Sequence, residues 1–556
     1  MSIFTVTTLT DENDGIDVGG VSLREAIAAA NAKPGRDIIR FNSRLSGTIS
    51  LTQGELAISD SVVIRGLGAD TLTIDAGGNS RVFNINDDSD DESEVTIQGL
   101  TISGGYTQDN GGGIYNAEAL KVIDTVITNN TSSYRYYEDY YGDPYYYNGD
   151  GAGIFQYAGS LLVKNSEISS NSADDDGGGI YTYSGDVRVI NSDIVNNSAD
   201  SSGGGIYASS GDVRVTNSDI AENNSYSGGG IYVAGANVRV TDSDIADNSA
   251  DYSGGGIYAS SGDVRVTDSD IAENNSYFGG GIYARNNSDV GFVRSVVTQN
   301  SAEYGGGIYN DGTTSVKSSS ITENSATSEG GGVHNSGTFK ASNSTIAGNT
   351  MGEGESEFPS EFYGPAGVTV AGTQGEDEIF GTNGDDIIRG RDGDDILAGG
   401  AGDDKIFGQA GSDVLIGFDP LIGSPVPSES GTFTHEDEID VLTGGGGADK
   451  FVLGGFFGIE PEASSAQLAE IEFSMAYSAS GDDDYALIRD FTAQDKILLD
   501  GDAELYQLGV ASSGLPSGVT ISTAEGELMA IVQGEAAIDL NLESGTGFEF
   551  ASGLEA

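Results

Sequence analysis

The sequence contains no cysteine and no tryptophan, and only 24 of its 556 residues are lysine or arginine. The lack of cysteine excludes a disulfide framework and any thiolate metal site. With 87 acidic residues the formal net charge is −63, which excludes nucleic acids and anionic membranes as partners, because both require clustered basic side chains. The sequence also has no run of 18 apolar residues, so we expect no membrane-spanning segment.

The N-terminal residues 1–14 lack the basic and apolar stretches of a cleavable signal peptide. If the protein leaves the cell, we expect its export signal to lie elsewhere in the chain.

Glycine, by contrast, is abundant, and a Gly-Gly-Gly triplet followed by Ile or Val recurs every 25 or 26 residues through the middle of the chain. A period of this size indicates a solenoid, in which each unit buries its apolar side only by stacking on its neighbours. The residue after the triplet marks the copies, one of which has alanine within the triplet: Ile114, Ile154, Ile180, Ile206, Ile231, Ile257, Ile282, Ile308 and Val333.

Each regular repeat contains three short apolar segments, for example at Ile206, at residues 213–215 and at Ile220. Alternation places these apolar side chains inward, and Tyr207 and Arg214 outward. The sequence therefore predicts an all-β chain in which residues 46–350 form a right-handed parallel β-helix with three short strands per coil.

Ahead of these repeats, Ser22 and Glu25 form a capping box that opens an apolar, alanine-rich stretch over residues 23–32. We expect one helix here, in an N-terminal cap of residues 1–45 that covers the open end of the β-helix.

Stacked coils place like residues above one another. An asparagine follows the last apolar position of each repeat by three residues, which predicts an internal column of side-chain amides that donate to one coil and accept from the other. This column comprises Asn130, Asn171, Asn197, Asn223, Asn248, Asn274, Asn300, Asn324 and Asn349.

Two outward columns are also predicted. Stacked arginines are followed by stacked aspartates, and three of the arginines are also preceded by an aspartate two residues earlier, which indicates a ribbon that neutralises its own charge. The preceding aspartates are Asp186, Asp212 and Asp263. The aromatic residues after the triplets, from Tyr115 to Tyr309, could stack their rings against sugars, but such a column more often covers a strand edge, which is what we expect here. The charged columns are Arg188, Arg214, Arg239 and Arg265, followed by Asp193, Asp219, Asp244 and Asp270.

The first two triplets are 40 residues apart, which indicates an insertion at residues 131–150. Loops on a rigid scaffold often carry recognition, and tyrosine is favoured at interfaces. The insertion is therefore either an interaction patch or a loop folded on its own coil. Its tyrosines are Tyr134, Tyr136, Tyr137, Tyr140, Tyr141, Tyr145, Tyr146 and Tyr147.

After a linker at residues 351–371, the period changes to nine. Units of the form G-G-x-G-x-D-x-U-x, in which U is apolar, occupy residues 372–453 around an insertion at residues 418–434. The glycines let backbone carbonyls turn inward, the aspartate supplies a hard anionic oxygen, and the apolar residue fills a small core. Hard oxygen ligands without histidine or cysteine favour Ca²⁺ over zinc or copper. The candidate metal ligands are Asp377, Asp386, Asp395, Asp404, Asp413, Asp440 and Asp449.

These nonads resemble the RTX calcium-binding repeats of proteins exported by bacterial type I secretion. The resemblance implies a parallel β-roll with two nonads per turn and Ca²⁺ between successive turns. It pairs Asp377 with Asp395, Asp386 with Asp404, and Asp395 with Asp413. It also implies an export signal at the C-terminus, so residues 454–556 are interpreted as a β-rich domain that contains this signal. The tail from residue 482 onward resembles the ends of RTX proteins, many of them cyanobacterial.

The first half has a resemblance of its own. Residues 21–27 (VSLREAI) resemble a motif at the head of bacterial surface β-helices, although Val21 stands where cysteine is common. The Gly-Gly-Gly-Ile-Tyr elements resemble polymorphic outer-membrane and adhesin-type repeats.

These features favour a secreted calcium-binding structural or adhesive protein, outside the cell or on its surface, that self-associates into a fibre or surface layer. Extracellular polysaccharide is a further candidate partner, and the type I secretion machinery is an expected partner of the C-terminus. The alternative is a polysaccharide lyase or epimerase, which needs a base and cationic groups beside the substrate carboxylate. Because neither His334 nor His435 lies in a sequence cluster of that kind, we expect no enzymatic activity.

Overall fold

The structure, a computed structural model, describes residues 1–15, 19–87, 93–138, 144–147, 149–285, 288–342, 344–347, 349–351, 362–363, 367–372, 375, 377–382, 384–417, 439–453, 485–500, 502–524, 526–542 and 544–551. The chain divides into two compact units. The first unit contains residues 1–314 and 321–331, and the second contains residues 315–320 and 332–556. Among the described residues, no helix is long and apolar enough to cross a membrane.

The first unit is a parallel β-helix in which each coil contributes one strand to each of three parallel sheets. Sheet 1 contains Ile3–Val6, Asp37–Phe41, Val62–Arg65, Glu94–Gln98, Ala119–Ile123, Leu161–Lys164, Val187–Ile190, Val213–Thr216, Val238–Thr241, Val264–Thr267 and Asp289–Val293. Sheet 2 contains Gly47–Ser50, Leu72–Asp75, Thr101–Ser103, Val126–Thr128, Glu167–Ser169, Asp193–Val195, Asp219–Ala221, Asp244–Ala246, Asp270–Ala272 and Val296–Thr298. Sheet 3 contains Leu56–Ile58, Phe83–Ile85, Ile114–Asn116, Ile154–Gln156, Ile180–Thr182, Ile206–Ala208, Ile231–Val233, Ile257–Ala259, Ile282–Ala284 and Ile308–Asn310.

A short additional ladder precedes the Gly triplets, and a hairpin projects from the insertion. The ladder strands are Tyr106–Thr107, Thr131–Ser132, Ser172–Ala173, Ser198–Ala199, Asn224–Ser227, Ser249–Ser253, Ser301–Tyr304 and Ser325–Glu329. The hairpin pairs Arg135–Glu138 with Pro144–Tyr147 in antiparallel fashion. Thr313–Lys317 and Ser320–Thr322 are further strands at the division between the units.

The predicted N-terminal helix is present as Leu23–Asn31, and both hydrogen bonds of the Ser22–Glu25 capping box are made. The helix covers the free edge of the first strand of sheet 3. Arg24 donates to the carbonyls of Gly54 and Glu55, and Asn31 donates to the carbonyl of Ala57. Edge groups that would otherwise lack partners are thereby satisfied.

The asparagine column forms a continuous hydrogen-bonded ladder from Asn130 to Asn324 inside the first unit. Asn223 is typical and is 1% exposed. Its Nδ2 donates to Asn248 Oδ1 at 3.0 Å and to the carbonyl of Ile194 at 2.9 Å, while its Oδ1 accepts from the Asn197 amide group at 3.1 Å. The prediction of a self-satisfying amide column is confirmed.

This ladder also explains the Gly triplets. Gly203 has a φ of +67°, a conformation that glycine adopts without strain. A Cβ on Gly205 would lie 2.6 Å from the Gly230 carbonyl oxygen and 3.1 Å from Asn223 Nδ2. Only glycine leaves room for the stacked coil and the amide column together.

The aromatic column differs from the expectation. The rings lie on the outer face of sheet 3 and stack on one another, with centroids 4.8 Å apart between Tyr181 and Tyr207 and 4.6 Å apart between Tyr232 and Tyr258. The expectation that these rings cover a strand edge is therefore wrong. Alternation indicated only that they face outward, not that their faces would pack together.

The prediction of a self-neutralising charged ribbon is confirmed for two of the aspartates that precede the arginines and is wrong for those that follow them. Arg214 pairs with Asp186 at 3.3 Å and Asp212 at 2.6 Å. Asp193, however, lies on sheet 2 in register with Glu167 and Asp219. Burial, together with the charges of Asp219 and Glu167, raises the pKa of Asp193. The expected neutralisation by the Asp193 column is therefore wrong, because the turn between sheets separates it from the arginines.

The second unit begins with Val333–Asn335, Thr338–Ser342, Thr345–Ala347, Thr350–Met351, Phe362–Tyr363 and Val368–Ala371. A β-roll of two parallel ladders follows. One ladder contains Ile387–Asp392, Lys405–Ala410, Ile439–Gly446 and Tyr485–Arg489; the other contains Glu378–Phe380, Ile396–Ala398, Val414–Ile416, Lys450–Val452, Lys496–Asp500 and Phe548–Ala551. Tyr506–Val510, Val519–Thr523 and Leu528–Val532 form an antiparallel set, and short 3-10 turns occupy Ala503–Leu505 and Ala537–Asp539.

The apolar eighth residues of the nonads fill the narrow core of the roll, as predicted. Ile388, Leu397, Ile406 and Leu415 are 0% exposed. Because the core is one residue wide per strand, it buries little apolar area per turn, and the roll depends on its polar ladders for additional stability.

We predict that Asn223→Ala destabilises the first unit by about 2–3 kcal/mol, because it removes the buried hydrogen bonds that the Asn223 side chain makes with Asn197, Asn248 and Ile194. Urea unfolding followed by circular dichroism measures the effect. The matched control is Asn224→Ala at the neighbouring exposed position, for which we expect a change below about 0.5 kcal/mol. Equal effects of the two substitutions would contradict the ladder's role.

Candidate metal centre

The sixth-position aspartates of the nonads line the two sides of the roll. All of them except Asp440, which is the second residue of Ile439–Gly446, directly precede a strand. Those that are 1% exposed are Asp386, Asp395, Asp404, Asp413, Asp440 and Asp449. Asp377 is partly exposed.

One oxygen of each carboxylate joins a ladder between turns. The backbone N–H of Asp377 donates to Asp395 Oδ1 at 2.9 Å, and that of Asp395 donates to Asp413 Oδ1 at 3.0 Å. On the other side, Asp386 donates in the same way to Asp404 at 2.8 Å. The structure thus brings together all three pairs that the RTX resemblance implied.

The ladders continue across the insertion between the fifth and later units. Asp404 N donates to Asp440 Oδ1, and Asp413 N donates to Asp449 Oδ1, both at 3.0 Å. One column therefore runs through Asp377, Asp395, Asp413 and Asp449, and the other through Asp386, Asp404 and Asp440.

The second carboxylate oxygen has a different environment. Oδ2 of Asp395, Asp413 and Asp449 is buried and has no hydrogen-bond partner in the protein. A buried carboxylate oxygen without a partner carries a large desolvation penalty. These positions are therefore incomplete without a further cationic or donor group.

That oxygen points at the first glycine of its own nonad. A Cβ on Gly390 would lie 2.0 Å from Asp395 Oδ2 and 2.8 Å from the Gly408 carbonyl oxygen of the next turn. The same pair of oxygens surrounds Gly408, where a Cβ would lie 2.1 Å from Asp413 Oδ2 and 2.6 Å from the Gly444 carbonyl oxygen. Carboxylate and carbonyl oxygens from successive turns thus converge beside each glycine.

Ca²⁺ fits this donor set, since it binds carboxylate and backbone carbonyl oxygens in flexible geometry. When bound, it would neutralise the carboxylates and supply the partner that their second oxygens lack. The protein's own part is to hold those oxygens at a fixed spacing through the Oδ1 ladder.

The electrostatics of the columns point the same way. Burial, together with the negative charges of Asp413 and Asp377, raises the pKa of Asp395 to about 6, although the hydrogen bond from the Asp377 backbone acts to lower it. Burial likewise raises the pKa of Asp449 to about 6. The ionised carboxylates are thus disfavoured in the protein alone, and a bound cation would remove this penalty.

Two features of the roll were not anticipated from the sequence. Arg391 and Gln409 occupy second positions of nonads, where the motif has glycine, and have φ values of +92° and +83°.

Asp495 accepts the backbone N–H of Asp449 at 3.0 Å and so extends the first column beyond the repeats. The signal was the similarity of Gln494-Asp495-Lys496-Ile497 to Ala448-Asp449-Lys450-Phe451.

Family models match three parts of the chain. A right-handed β-helix region matches residues 179–351, and the RTX calcium-binding nonapeptide repeat matches residues 371–406, 390–417 and 437–458. The chain is an RTX-repeat protein fused to a right-handed β-helix. The Chlamydia polymorphic membrane protein repeat matches residues 165–183, which confirms the second resemblance seen in the glycine triplets.

No curated protein matches the chain. Among solved structures, the Dettilon tailspike protein (gp208) aligns at 12% identity with a TM-score of 0.28, over 74% of this chain and 66% of the tailspike chain. A likeness this weak supports no inference about function.

A second group of carboxylates lies in the RTX protein's first unit, next to the insertion. Asp150, Asp175 and Asp176 come from two consecutive coils, and each offers an oxygen within 4.8 Å of the others. Burial and the charge of Asp175 raise the pKa values of both Asp150 and Asp176 to about 7. The signal in the sequence was the residue before each Gly triplet, which is Asp150 or Asp176 here and Ser202, Ser227 or Ser253 in later coils.

Asp150 lines a groove of about 550 Å³ on the outer face of sheet 3. Aromatic residues line much of the remainder, and Arg81 is also present. Arg81 is already engaged, since it pairs with Glu55 at 2.8 Å and lies over the Tyr115 ring. The aromatic lining residues are Tyr115, Phe155, Tyr157, Tyr181 and Tyr183.

The tyrosines of the insertion are only partly described. Tyr134 is half-buried, its backbone N–H donates to the Asp174 carboxylate at 3.2 Å, and burial and nearby aspartates raise its pKa to about 12. Tyr136 and Tyr137 lie on one strand of the hairpin, and Tyr145, Tyr146 and Tyr147 on the other. Tyr140, Tyr141 and His435 lie outside the described residues. The interaction role of these tyrosines stays a prediction.

We predict that Asp395→Asn lowers calcium affinity by about tenfold or more, because it removes one anionic ligand from a site built on paired carboxylates. Isothermal titration calorimetry with CaCl₂ measures the change. The control is Asp394→Asn, next in sequence and exposed, which should bind calcium as the unchanged protein does. Loss of affinity in both variants would indicate a general charge effect and contradict the assignment.

Proposed function

We propose that this protein is an extracellular or cell-surface structural protein in which calcium folds the roll and the β-helix provides a repetitive surface for self-association. The observation that carries the calcium part is the set of buried aspartate oxygens without protein partners beside the glycines of the roll. Export through type I secretion by way of the C-terminus belongs to the same proposal.

A strip of exposed tyrosines supports self-association. Tyr226, Tyr252 and Tyr277 project from three consecutive coils and are 51%, 45% and 38% exposed. Their ring centroids lie 5.4 and 6.2 Å apart. An exposed aromatic strip with the period of the coil suits packing against an equally repetitive partner, such as a second copy of this chain.

Charge opposes that association. Each copy has a formal net charge of −63, so two copies repel each other. The repulsion weakens as cations screen or bind the surface carboxylates. Assembly should therefore depend on divalent cations both through the fold of the roll and through the acidic surface.

We predict that the purified protein forms filaments or sheets in calcium and that these disperse in EGTA at constant ionic strength. Negative-stain electron microscopy and light scattering measure assembly. Tyr226→Ser combined with Tyr252→Ser should reduce assembly at least about fivefold, since it removes the centre of the strip. Tyr157→Ser combined with Tyr183→Ser, at similar exposure in another column, is the control. Monomers under all conditions would contradict the assembly proposal.

A polysaccharide-modifying enzyme is the second candidate, and the groove at Asp150 is the observation that favours it. Two nearby carboxyl groups with pKa values of about 7 can divide the roles of general acid and general base at neutral pH. Against it, the ring faces of Phe155 and Tyr181 are stacked on each other, so they present edges rather than platforms to a sugar.

If this candidate is correct, the protein cleaves or epimerises alginate, pectate or a neutral glycan, and Asp150→Asn lowers the rate by about 100-fold or more. Reducing-end and unsaturated-product assays measure this. Asp251→Asn, at an exposed position away from the groove, is the control. Absence of products from all three substrates would exclude the candidate for these polymers.

A further inference from the structure

The outer face of sheet 1 carries a ladder of arginines in an otherwise acidic protein. Leu162 takes the position before this ladder and Gly291 the position after it, so the ladder is four coils long. Neighbouring parallel strands lie about 4.8 Å apart, and the four charges therefore form a row with the period of the coil. The members of the arginine ladder, in parallel register, are Arg188, Arg214, Arg239 and Arg265.

Most of the arginine ladder has no counter-charge in its own chain. Arg214 pairs with both Asp186 and Asp212, at 3.3 and 2.6 Å. In the part of the chain that the structure describes, no carboxylate pairs with the other three arginines, which are exposed. Like charges in neighbouring register repel each other. The ladder therefore favours an anionic partner from outside the molecule.

The coil of Arg239 lacks the aspartate that its neighbours have. Asn237 stands where the adjacent coils have Asp212 and Asp263. Its Nδ2 donates to Asp212 Oδ1 at 3.1 Å, and its Oδ1 accepts the Asp263 N–H at 3.0 Å. Three of the four arginines, together with Asp212, Asn237 and Asp263, line a groove of about 110 Å³. Asn237 completes the hydrogen bonds of this row without adding a negative charge beside Arg239.

Sheet 2 carries a ladder of aspartates in the same four coils, and each aspartate follows the arginine of its coil by five residues. Glu167 precedes this ladder in register, and Val296 follows it. The arginine and aspartate ladders thus end at the same coil, and the coil gives both the same spacing. The members of the aspartate ladder are Asp193, Asp219, Asp244 and Asp270.

The aspartates are exposed and open to a long side chain. Two residues further along each strand, and on the same face, lies a short half-buried side chain, which is Val195 in one coil and Ala221, Ala246 or Ala272 in the others. Within the described ranges, no basic side chain pairs with the aspartate ladder. Burial and the charges of its two neighbours in the ladder raise the pKa of Asp244, as expected for carboxylates without a nearby cation.

We infer that the arginine ladder of one copy docks on the aspartate ladder of a second copy. Arginine binds carboxylates through its planar fork, and the equal length and spacing of the two ladders let every coil contribute a pair. Each copy keeps its other ladder free for a further copy, so the contact is heterologous and extends into an open array. This inference rests on the proposed self-association and names the surfaces that perform it.

An anionic polysaccharide is the other occupant that the arginine ladder could take. It would account for the arginines alone. It gives no reason for an aspartate ladder that occupies the same four coils and ends where the arginines end. The second copy accounts for both ladders.

The test uses the full chain and two variants, each of which reverses part of one ladder in the same two coils. The arginine-reversed variant carries Arg239→Glu and Arg265→Glu, and the aspartate-reversed variant carries Asp244→Lys and Asp270→Lys. Light scattering and negative-stain electron microscopy in calcium measure assembly of each protein alone and of the two variants mixed in equal amounts. Thermal unfolding followed by circular dichroism shows that each variant folds.

We expect each reversed variant alone to assemble at least about fivefold less than the unchanged protein, because docking would place like charges together. The equal mixture should recover about half of the assembly or more, since the glutamates of one variant then meet the lysines of the other. The matched control carries Arg44→Glu and Arg65→Glu, at exposed positions outside both ladders. It makes the same change in net charge as the arginine-reversed variant and should assemble as the unchanged protein does.

Reversed variants that assemble like the unchanged protein would overturn this inference and leave calcium-dependent assembly standing. A mixture that assembles no better than its separate components would also overturn it. In that case, loss of pectate binding in the arginine-reversed variant alone would assign the arginine ladder to an anionic polysaccharide. An unchanged protein that stays monomeric in calcium would overturn the proposed self-association itself, and this inference with it.

Discussion

The vertical stacking of like residues is the constraint on which the rest of this structure depends. In a parallel coil, a buried polar side chain lies next to a residue of the same type one turn away. The two side chains must therefore be able to hydrogen-bond to each other. Asparagine can do so, because its amide both donates and accepts, and the ladder through Asn223 and Asn248 is complete without any outside group. Aspartate cannot, because an ionised carboxylate only accepts. The asparagine column of the first unit therefore satisfies its own hydrogen bonds. The aspartate columns of the roll need a cation to satisfy their second oxygens.

This difference gives the two units different conditions for folding. The Oδ1 ladder of the roll resembles the amide ladder in form, with backbone N–H groups as donors. The second oxygens of Asp395, Asp413 and Asp449 remain unmatched, and the core beneath them is too thin to compensate for the desolvation of these carboxylates. In the proposed function, calcium completes the aspartate columns of the roll, whereas the amide ladder of the first unit needs no cation, and an acidic exterior adds a reason why a calcium-rich environment suits this protein.

Much of this architecture follows from the sequence because it is periodic. The amide column and the capping box at Ser22 and Glu25 could be predicted from spacing alone, and the paired aspartates from the resemblance of the nonads to RTX repeats. Spacing does not predict how outward side chains pack, which is why the stacked rings of Tyr181 and Tyr207 and the isolation of Asp193 from the arginines were missed. Residues that join a column from outside the motif, such as Asp495, carry no periodic signal, and Asp150 and Asp176 keep the periodic position before the Gly triplet but differ in residue type from the serines of later coils.

Limited proteolysis of the full chain, with fragments identified by mass spectrometry, tests the central claim most directly. In EGTA, we expect rapid cleavage within residues 367–551 while residues 19–331 resist, since the buried Oδ2 atoms of Asp395, Asp413 and Asp449 lack partners in successive turns of the roll, whereas the first unit is held by its complete amide ladder. Added calcium should then protect the described parts of the second unit. A roll that resists cleavage in EGTA as well as it does in calcium would contradict the account.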